Sequence, residues 1–274
     1  MLPLVQTLTD RLQQNGHDNP QRTIEELIAH HLHCKPLEIY HQTPPDLDTL
    51  EPDLQRLLNH EPLPYIIGTA HFYGLEFITD PRALIPRPET EQLIERLLQS
   101  PIAHHPNPRI IDVGTGTGCI AITLAHHLPH ATIEAVDTST DALQLTSENA
   151  QKQQLQDRIT LHHNNLLSDR PDEAYHAIIS NPPYIATPHW QTLTPSVKQH
   201  EPRAALDAGP DGTECYEALI PEATRTLQPN GYLFLEIGYD QGPLVQRILQ
   251  RNGFHHIQLE KDLQGHDRIL SAQK

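Results

Sequence analysis

The chain has 274 residues, with 19 Lys and Arg against 35 Asp and Glu, which gives a formal net charge of −16. An acidic balance of this size argues against a surface that binds a nucleic-acid backbone in bulk, although it does not exclude a small basic groove. The length suffices for one large domain and one small domain.

Cysteine usage and hydropathy indicate the compartment. The three cysteines, Cys34, Cys119 and Cys215, are isolated and form no Cys-x-x-Cys pair. An odd number without a pairing pattern predicts no disulfide framework. The N-terminus lacks the basic and then apolar pattern of a signal peptide, and no run of about 18 apolar residues occurs. These features predict a soluble protein of a reducing compartment, the cytoplasm, with no membrane contact.

The 20 histidines are numerous but scattered. The densest group, His30-His31-Leu32-His33-Cys34, lies on a helical N-terminal segment and lacks a second ligand pair at the spacing of a zinc site. We interpret this group as a solvated helix face and predict no metal centre.

The first part of the chain has helical periodicity. Apolar residues recur every three or four positions in three stripes, within residues 4–12, 24–32 and 50–58, and Pro20 and Pro44-Pro45 separate them. The pattern predicts a helical bundle over residues 1–68 without a catalytic constellation. Two roles stay open for this bundle, which are holding a protein partner and serving as a packing cap.

A linking β-hairpin is predicted over residues 69–84, with Gly74 near its turn. The segment Arg87-Pro88-Glu89-Thr90-Glu91 then predicts a helix start, because proline favours the first helical position and acidic residues favour the first turn. This account covers both glutamates but leaves Arg87 unexplained, and we expect Arg87 to face the active site.

Strand and helix patterns alternate through the rest of the chain, residues 85–274. The predicted strands are 109–113, 131–136, 159–162, 177–180, 232–237, 257–260 and 268–272, and the intervening helices lie near 120–127, 141–153, 216–227 and 243–251. Such alternation predicts an α/β fold with a doubly wound, mostly parallel sheet of seven strands. An antiparallel pair is expected at its end.

A glycine-rich turn follows the first strand of this sheet. Gly114-Thr115-Gly116-Thr117-Gly118 precedes an apolar helical run, so its backbone can approach a ligand at the helix N-terminus. The alternate glycines, with Cys119 at the third glycine position, depart from the dinucleotide fingerprint. Asp137 ends the next strand and can accept hydrogen bonds from two ribose hydroxyls. The combination favours S-adenosylmethionine over NAD. Asp112 either orients this loop or caps its turn.

The tetrapeptide Asn181-Pro182-Pro183-Tyr184 follows the predicted strand 177–180. Because proline has no backbone N–H, this stretch presents carbonyl oxygens with few competing donors. The Asn181 side-chain oxygen and a proline carbonyl can accept both hydrogens of one planar –NH₂ group, and Tyr184 offers a flat face. A reaction at an amide or exocyclic amine nitrogen requires such acceptors and such a flat face. A proline-stiffened loop without chemistry is the alternative.

The glycine turn, Asp137 and Asn181 each follow a predicted strand of the parallel sheet. Ligands of such sheets bind at the carboxyl ends of the strands. We therefore expect the three features to meet at one edge.

Several motifs together resemble the release-factor glutamine methyltransferases (HemK/PrmC type), over residues 62–272. The N-terminal bundle matches that family only in length and type. The resemblance is carried by Tyr65-Ile66-Ile67-Gly68, Phe72-Tyr73-Gly74-Leu75, Ile85-Pro86-Arg87-Pro88-Glu89-Thr90-Glu91, Asp112-Val113 with the glycine turn and Cys119-Ile120-Ala121, Ser180 to Ile185, Glu201-Pro202-Arg203-Ala204-Ala205-Leu206-Asp207 and Lys261-Asp262-Leu263-Gln264-Gly265-His266-Asp267-Arg268.

The resemblance implies a Rossmann-like class I methyltransferase domain that uses S-adenosyl-L-methionine. It also implies methylation of the side-chain amide nitrogen (N5) of the glutamine in the Gly-Gly-Gln motif of class I peptide chain release factors. The Pro-Glu-Thr-Glu stretch after Arg87 separates the chain from the ribosomal-protein glutamine methyltransferases, which usually differ there.

The resemblance also assigns roles by matching position. The implied cofactor contacts are Gly114, Thr115, Gly116, Thr117, Gly118, Asp137, Asn165, Leu166 and Asn181. The implied glutamine-binding residues are Asn181, Pro182, Pro183 and Tyr184, and the implied catalytic residues are Asn181, Pro182 and Tyr184.

Asn165 and Leu166 depart from the family, which usually has an acidic residue followed by a bulky apolar one near the adenine. An asparagine oxygen can still accept from the adenine amine, and leucine can pack on the ring, so we expect binding to persist in a weaker form. If the alignment slips by one position, Asn164 takes the role.

Two other functions are weighed against this one. An adenine-N6 methyltransferase acting on DNA or RNA also reacts at a planar –NH₂ group. The acidic net charge and the lack of a Lys- and Arg-rich segment argue against this function. A non-catalytic cofactor-binding scaffold is opposed by the intact Asn-Pro-Pro-Tyr loop. The expected partners are class I release factors, with no direct nucleic acid.

Overall fold

A computed structural model describes all residues from Met1 to Lys274. The chain divides into two compact units, residues 1–69 together with 193–200, and residues 70–192 together with 201–274. None of the helices combines the length and the apolar composition that crossing a membrane requires.

The predicted N-terminal helices are confirmed. The first unit contains α1 (Leu2–Gln14), α2 (Pro20–Leu32), α3 (Leu47–Leu58) and the short α4 (Leu63–Ile67). Leucines and isoleucines of all three predicted stripes are buried against one another, which gives this unit its own apolar core. Pro20 begins α2, where its missing N–H has no helical partner to lose.

The histidine group at the end of α2 is partly solvated. His30 and His33 are exposed, as expected, whereas His31 is half-buried and its Nε2 lies 3.0 Å from Oδ2 of Asp53 on α3. His31 therefore joins two helices instead of facing solvent. No group of three or more His, Cys, Asp or Glu side chains is arranged to hold a metal ion.

The predicted hairpin consists of β1 (Thr69–Phe72) and β2 (Leu75–Ile78). Its two turn residues, Tyr73 and Gly74, both have positive φ, at 49° and 77°. This pair of angles suits the primed turns that match the twist of two-residue hairpins. Phe72 and Phe77 are fully buried and meet edge to face, with ring centroids 6.0 Å apart.

The second unit is built on a sheet of seven strands in the order β5-β4-β3-β6-β7-β9-β8. The pairs from β5 to β7 are parallel, and β9 is antiparallel to both of its neighbours, as predicted. The strands are β3 (Arg109–Val113), β4 (Thr132–Asp137), β5 (Ile159–His163), β6 (Tyr175–Ser180), β7 (Leu227–Glu236), β8 (His255–Lys261) and β9 (Asp267–Gln273).

Helices cover both faces of this sheet. Ile110 packs in one buried apolar cluster and Ile111 in the other, because successive strand residues point to opposite faces. The helices of this unit are α5 (Pro88–Leu98), α6 (Cys119–His127), α7 (Thr140–Lys152), α9 (Glu214–Thr226) and α10 (Gly242–Arg251), while α8 (Pro195–His200) belongs to the N-terminal unit.

Most predicted boundaries agree with the structure to within one or two residues. The largest difference is β7, which begins at Leu227 instead of residue 232. Pro229, Asn230 and Gly231 are residue types that favour turns, but the strand continues through them, with Asn230 at a φ of 65°. The short helices α4 and α8 were not predicted, because segments of five and six residues carry too little periodicity to detect.

The register of three adjacent strands positions the expected site. Val113, the last residue of β3, pairs with Val136 of β4 and with Ser180 of β6. The chain therefore leaves the sheet at one level in three neighbouring strands, at Gly114, Asp137 and Asn181.

Asn149 connects the hairpin to this edge. It lies on α7, is fully buried, and its Oδ1 accepts a hydrogen bond of 2.6 Å from the Ile78 N–H. Its Nδ2 donates to the carbonyls of Ile78 and Thr117, at 3.0 and 2.9 Å. One side chain thus satisfies backbone groups of β2 and of the glycine turn.

The substitution Asn149→Ala should lower the free energy of unfolding by about 2–4 kcal/mol, because it leaves buried backbone groups without partners. Urea unfolding measures this loss. Gln151→Ala, at an exposed position of the same helix, is the control and should change stability by less than about 0.5 kcal/mol. Equal stability of the two variants would contradict the bridging role of Asn149.

Candidate active site

The glycine turn is held against the next strand by its own backbone. The N–H groups of Gly114 and Thr115 both donate to the carbonyl of Val136, at 2.9 and 3.1 Å. Gly114, Gly116 and Gly118 have φ values of 74°, 57° and 80°, a region that costs other L-residues about 1 kcal/mol or more. The alternate glycines are therefore required by the backbone path.

Gly114 and Gly118 differ in what surrounds them. A Cβ at Gly118 would lie 2.6 Å from Cγ2 of Thr146, so the turn packs tightly against α7 there. A Cβ at Gly114 would meet nothing within 4 Å, and Gly114 is exposed. The turn thus has one face packed on the protein and one open backbone face that a ligand can approach.

Asp112 supports the turn from inside. It is fully buried, and its Oδ2 accepts a hydrogen bond of 2.6 Å from the hydroxyl of Thr115. Burial raises the pKa of Asp112 to about 7, and the hydrogen bond from Thr115 opposes that rise. Because Asp112 and Thr115 are both buried, their hydrogen bond stabilises the glycine turn from its protein side.

Asp137 faces the same turn from β4. Its Oδ2 accepts from the Gly116 N–H at 3.0 Å and its Oδ1 from the Ser139 N–H at 2.9 Å. A carboxylate offers about four acceptor sites, so both oxygens retain capacity for further donors. Asp137 is only half-buried. The spare acceptor sites of this carboxylate fit a ribose, whose two adjacent hydroxyls can each donate a hydrogen bond.

The segment after β5 distinguishes between the two asparagines considered for the adenine contact. The Asn164 side chain is engaged at both ends, by Asp169 and by the Ser168 hydroxyl. The Asn165 side chain is exposed and makes no hydrogen bond within the protein, while Leu166 is half-buried with a φ of 51°. The contacts therefore leave Asn165, and not Asn164, free for a ligand.

The Asn-Pro-Pro-Tyr segment leaves the sheet at the end of β6. The Nδ2 of Asn181 donates to the hydroxyl of Thr90, at 3.1 Å, and the Oδ1 of Asn181 has no hydrogen-bond donor in the protein. Pro182 is buried and Pro183 is half-buried. The side-chain oxygen of Asn181 and the carbonyls of Pro182 and Pro183 accept no hydrogen bond within the protein, which leaves these acceptors free.

Tyr184 anchors the other end of this segment. Its ring packs against the apolar cluster of one sheet face, and burial raises its pKa to about 12, so the phenol stays neutral. Its carbonyl accepts from Nε2 of Gln241 at 2.9 Å. Ile185 then forms an isolated parallel bridge with Asp207, which fixes the path of the chain beyond the segment.

Two residues of this site were missed by the sequence analysis. Thr90 was interpreted only as part of a helix start, yet its hydroxyl contacts Asn181 and also lies 2.6 Å from Oε2 of Glu236. Glu236 is the last residue of β7 and only 1% exposed, and burial raises its pKa to about 7. The available signal was an acidic residue inside the apolar run Leu233-Phe234-Leu235-Glu236-Ile237.

Arg87, which the sequence left unexplained, forms an ion pair of 2.5 Å with Glu201. The Glu201 side chain is almost fully buried, and the Arg87 side chain is about one third exposed. Next along the chain, Arg203 pairs with Asp207 at 2.7 Å. Two motifs of the resemblance, around residues 85–91 and 201–207, are thus connected by an ion pair.

The strand edge therefore brings together an open glycine backbone, a carboxylate with spare acceptor capacity, and an amide oxygen beside proline carbonyls. The Gly116 N–H donates a hydrogen bond to Asp137. Asn181 follows Ser180, which pairs with Val113, the residue before Gly114. Such a site can hold a nucleoside-bearing ligand and a planar –NH₂ group side by side.

The chain is similar to known proteins along its whole length. Residues 90–199 match the methyltransferase small domain family, and residues 4–68 match the PrmC N-terminal domain family. The chain is 33% identical to the release factor glutamine methyltransferase of Rhodopirellula baltica, over 100% of this chain and 96% of that protein. It is 40% identical to the release factor glutamine methyltransferase of Enterococcus faecalis, over 82% of this chain and 80% of that protein.

The fold also occurs among solved structures. The hMettl16 catalytic domain, solved in complex with MAT2A 3'UTR hairpin 6, superposes with a TM-score of 0.60 over 73% of this chain and 76% of that chain, at 18% identity. That similarity concerns the fold alone. The two relatives, at 33% and 40% identity over most of each chain, establish that the chain belongs to the family of release factor glutamine methyltransferases.

Proposed function

We propose that the protein transfers a methyl group from S-adenosyl-L-methionine to the side-chain amide nitrogen of the glutamine in the Gly-Gly-Gln motif of class I release factors. The observation that carries this proposal is the hydrogen bonding of the Asn181 side chain. Its Nδ2 donates to Thr90, while its Oδ1 accepts no hydrogen bond within the protein. The prolines that follow offer carbonyl oxygens and have no N–H groups of their own that would compete for these acceptors. A primary amide fits these acceptors because it offers two N–H donors.

The residues of the strand edge fit the cofactor. Asp137 would accept from the ribose hydroxyls, the backbone at Gly114 to Gly118 would line the site, and Asn165 and Leu166 would lie at the adenine. Support comes from the spare acceptor capacity of Asp137 and from the open face at Gly114. When bound, S-adenosylmethionine supplies an electrophilic methyl group on a positively charged sulfur.

Asn181 and Pro182 act on the other reactant. An amide nitrogen is a poor nucleophile because its lone pair is delocalised into the carbonyl. Accepting both N–H hydrogens fixes the direction of that lone pair and favours a tetrahedral nitrogen as the new N–C bond forms. Restraint of this kind can supply on the order of 7–11 kcal/mol in favourable cases. The alkylated nitrogen then loses one proton to solvent, so no dedicated base is required.

The roles of Pro183 and Tyr184 in this proposal are mainly spatial. The neutral ring of Tyr184 provides a flat wall for the glutamine amide, and Pro183 keeps the segment free of competing donors. Catalysis would come from positioning and from the electrostatic fit of the acceptors to the charge that develops on nitrogen.

The N-terminal bundle, residues 1–68, is proposed to bind the release factor. Support comes from its match to the PrmC N-terminal domain family and from the Rhodopirellula baltica relative, whose similarity spans 100% of this chain, the bundle included. A cytoplasmic location is part of the same proposal and is supported by three free cysteines.

The test is methyl transfer to a purified class I release factor, followed by intact-mass spectrometry. The proposal predicts a gain of one methyl group, which disappears when the glutamine of the Gly-Gly-Gln motif is replaced. Methylation of DNA or RNA in parallel reactions, with none of the factor, would instead indicate an adenine methyltransferase. Binding of the factor without methylation of any substrate would indicate a scaffold.

The substitution Asn181→Ala should abolish most turnover, by a factor of about 10² or more, because the amide loses one of its two acceptors. Calorimetric affinity for S-adenosylmethionine should fall much less. Asn107→Ala, at an exposed loop position, is the matched control and should behave as the unmodified protein. Near-normal turnover in the Asn181 variant would contradict the assignment.

The substitution Asp137→Ala should weaken S-adenosylmethionine binding about tenfold or more, because hydrogen bonds to a charged group contribute about 1.5–3 kcal/mol each. Isothermal titration calorimetry measures the change, and thermal unfolding checks that the glycine turn stays folded. Asp157→Ala, at an exposed position of the short 3₁₀ helix Gln156–Arg158, controls for the lost charge. Unchanged affinity in the Asp137 variant would exclude the ribose contact.

A further inference from the structure

We propose that Thr90 and Glu236 are positioning residues that determine which end of the Asn181 side-chain amide faces the substrate. This inference rests on the proposed function of Asn181, since it concerns how that residue is presented to the glutamine. It assigns a task to two residues of α5 and β7 that lie behind the Asn-Pro-Pro-Tyr segment.

The three side chains form a chain of hydrogen bonds with one direction. Thr90 Oγ1 lies 2.6 Å from Oε2 of Glu236 and 3.1 Å from Nδ2 of Asn181. An ionised carboxylate only accepts hydrogen bonds, so Thr90 must give its single hydroxyl proton to Glu236. The threonine oxygen can then only accept from Asn181, and only the nitrogen end of the asparagine amide can donate.

This direction decides the chemistry of the exposed end of Asn181. With Nδ2 turned toward Thr90, Oδ1 faces away as an acceptor and can receive an N–H of the substrate amide. Rotation of the asparagine amide by half a turn would place two N–H donors against the –NH₂ group of the glutamine. Donors would then oppose donors, and the arrangement that favours a tetrahedral nitrogen would be lost.

The burial of Glu236 is otherwise unexplained by the fold. It is 1% exposed, no Lys, Arg or His nitrogen lies within 4 Å of its carboxylate, and its side chain makes a single hydrogen bond, to Thr90. An unpaired buried carboxylate is costly, and an apolar residue at the end of β7 would pack without that cost. A carboxylate that stays buried without an ion pair therefore points to a function at Thr90, the residue that it contacts.

Glu236 lies among several charged and titratable groups. Arg268 and Arg87 favour its ionised form, Glu89 opposes it, and burial opposes it most strongly. The groups that interact with it electrostatically are Arg268 on β9, Arg87 and Glu89 at the start of α5, Cys119 at the start of α6, and Tyr184 and Tyr216. The two tyrosines and Cys119 have raised pKa values and stay neutral near pH 7.

Protonation of Glu236 removes the enforced direction. A protonated carboxyl can donate to Thr90, whose hydroxyl is then free either to accept from Nδ2 of Asn181 or to donate to its Oδ1. Burial raises the pKa of Glu236 to about 7, so activity that depends on this direction should rise with pH through that region and then level off.

The test measures release-factor methylation by three variants, Thr90→Val, Thr90→Ser and Glu236→Gln, beside the unmodified protein. The assay spans about pH 5.5–8.5, because the pKa of Glu236 is raised to about 7. Thr90→Val keeps the shape and removes the hydroxyl, and it should lower kcat about 10²-fold while leaving S-adenosylmethionine affinity within about twofold. Thr90→Ser should restore kcat to within several-fold. Thr226→Val, a buried hydroxyl on α9, is the matched control and should retain full activity.

Glu236→Gln supplies the second measurement. Its amide can present either end to Thr90, so kcat should fall and the dependence on pH near 7 should disappear. Selective ¹⁵N labelling of asparagine adds a readout that needs no turnover, since the Asn181 side-chain signals should shift in Thr90→Val and not in Thr226→Val.

The outcomes separate this inference from the proposed function. Inactivity of the unmodified protein toward release factors would refute the proposed function itself. An active unmodified protein, with normal kcat in folded Thr90→Val, would overturn the positioning role alone. Persistence of the same pH dependence in Glu236→Gln would also overturn it, because the titrating group would lie elsewhere.

Discussion

The parallel pairing of β3 with both β4 and β6 is the constraint on which the site depends. Val113 pairs with Val136 on one side and with Ser180 on the other, so three connections leave the sheet at the same level. A shift of one residue in either pairing would reverse the side chains of a strand that is buried on both faces. The apolar clusters above and below the sheet therefore hold the glycine turn, Asp137 and Asn181 in one place.

A buried carboxyl bonded to a threonine occurs twice behind this edge. Asp112 accepts from Thr115 behind the glycine turn, and Glu236 accepts from Thr90 behind Asn181, both at 2.6 Å. Burial raises the pKa of each carboxyl to about 7, above its unfolded value. Between those values the folded chain binds more protons, so the contribution of both groups to stability is present at low pH and is lost as the pH rises through about 7.

Fold and motif positions were largely predictable from the sequence, because strand alternation and helix periodicity are local patterns. The bounds of β3, Arg109–Val113, agree with the predicted strand, and the turn after it is visible as alternating glycines. Asn181 was predictable from its own chemistry. Its partner Thr90 was not, because the contact spans 91 positions in the chain and exists only once α5 packs on the sheet. Glu236 looked like one polar residue in a strand.

The central claim is that the amide oxygen of Asn181 and the carbonyl of Pro182 together hold the nitrogen that is methylated. A crystal structure of the protein with S-adenosylhomocysteine and a peptide containing Gly-Gly-Gln tests it most directly. We expect the glutamine side-chain nitrogen within about 3.2 Å of both oxygens, with Nδ2 of Asn181 still hydrogen-bonded to Thr90. A glutamine amide bound elsewhere, or facing the nitrogen end of Asn181, would contradict it.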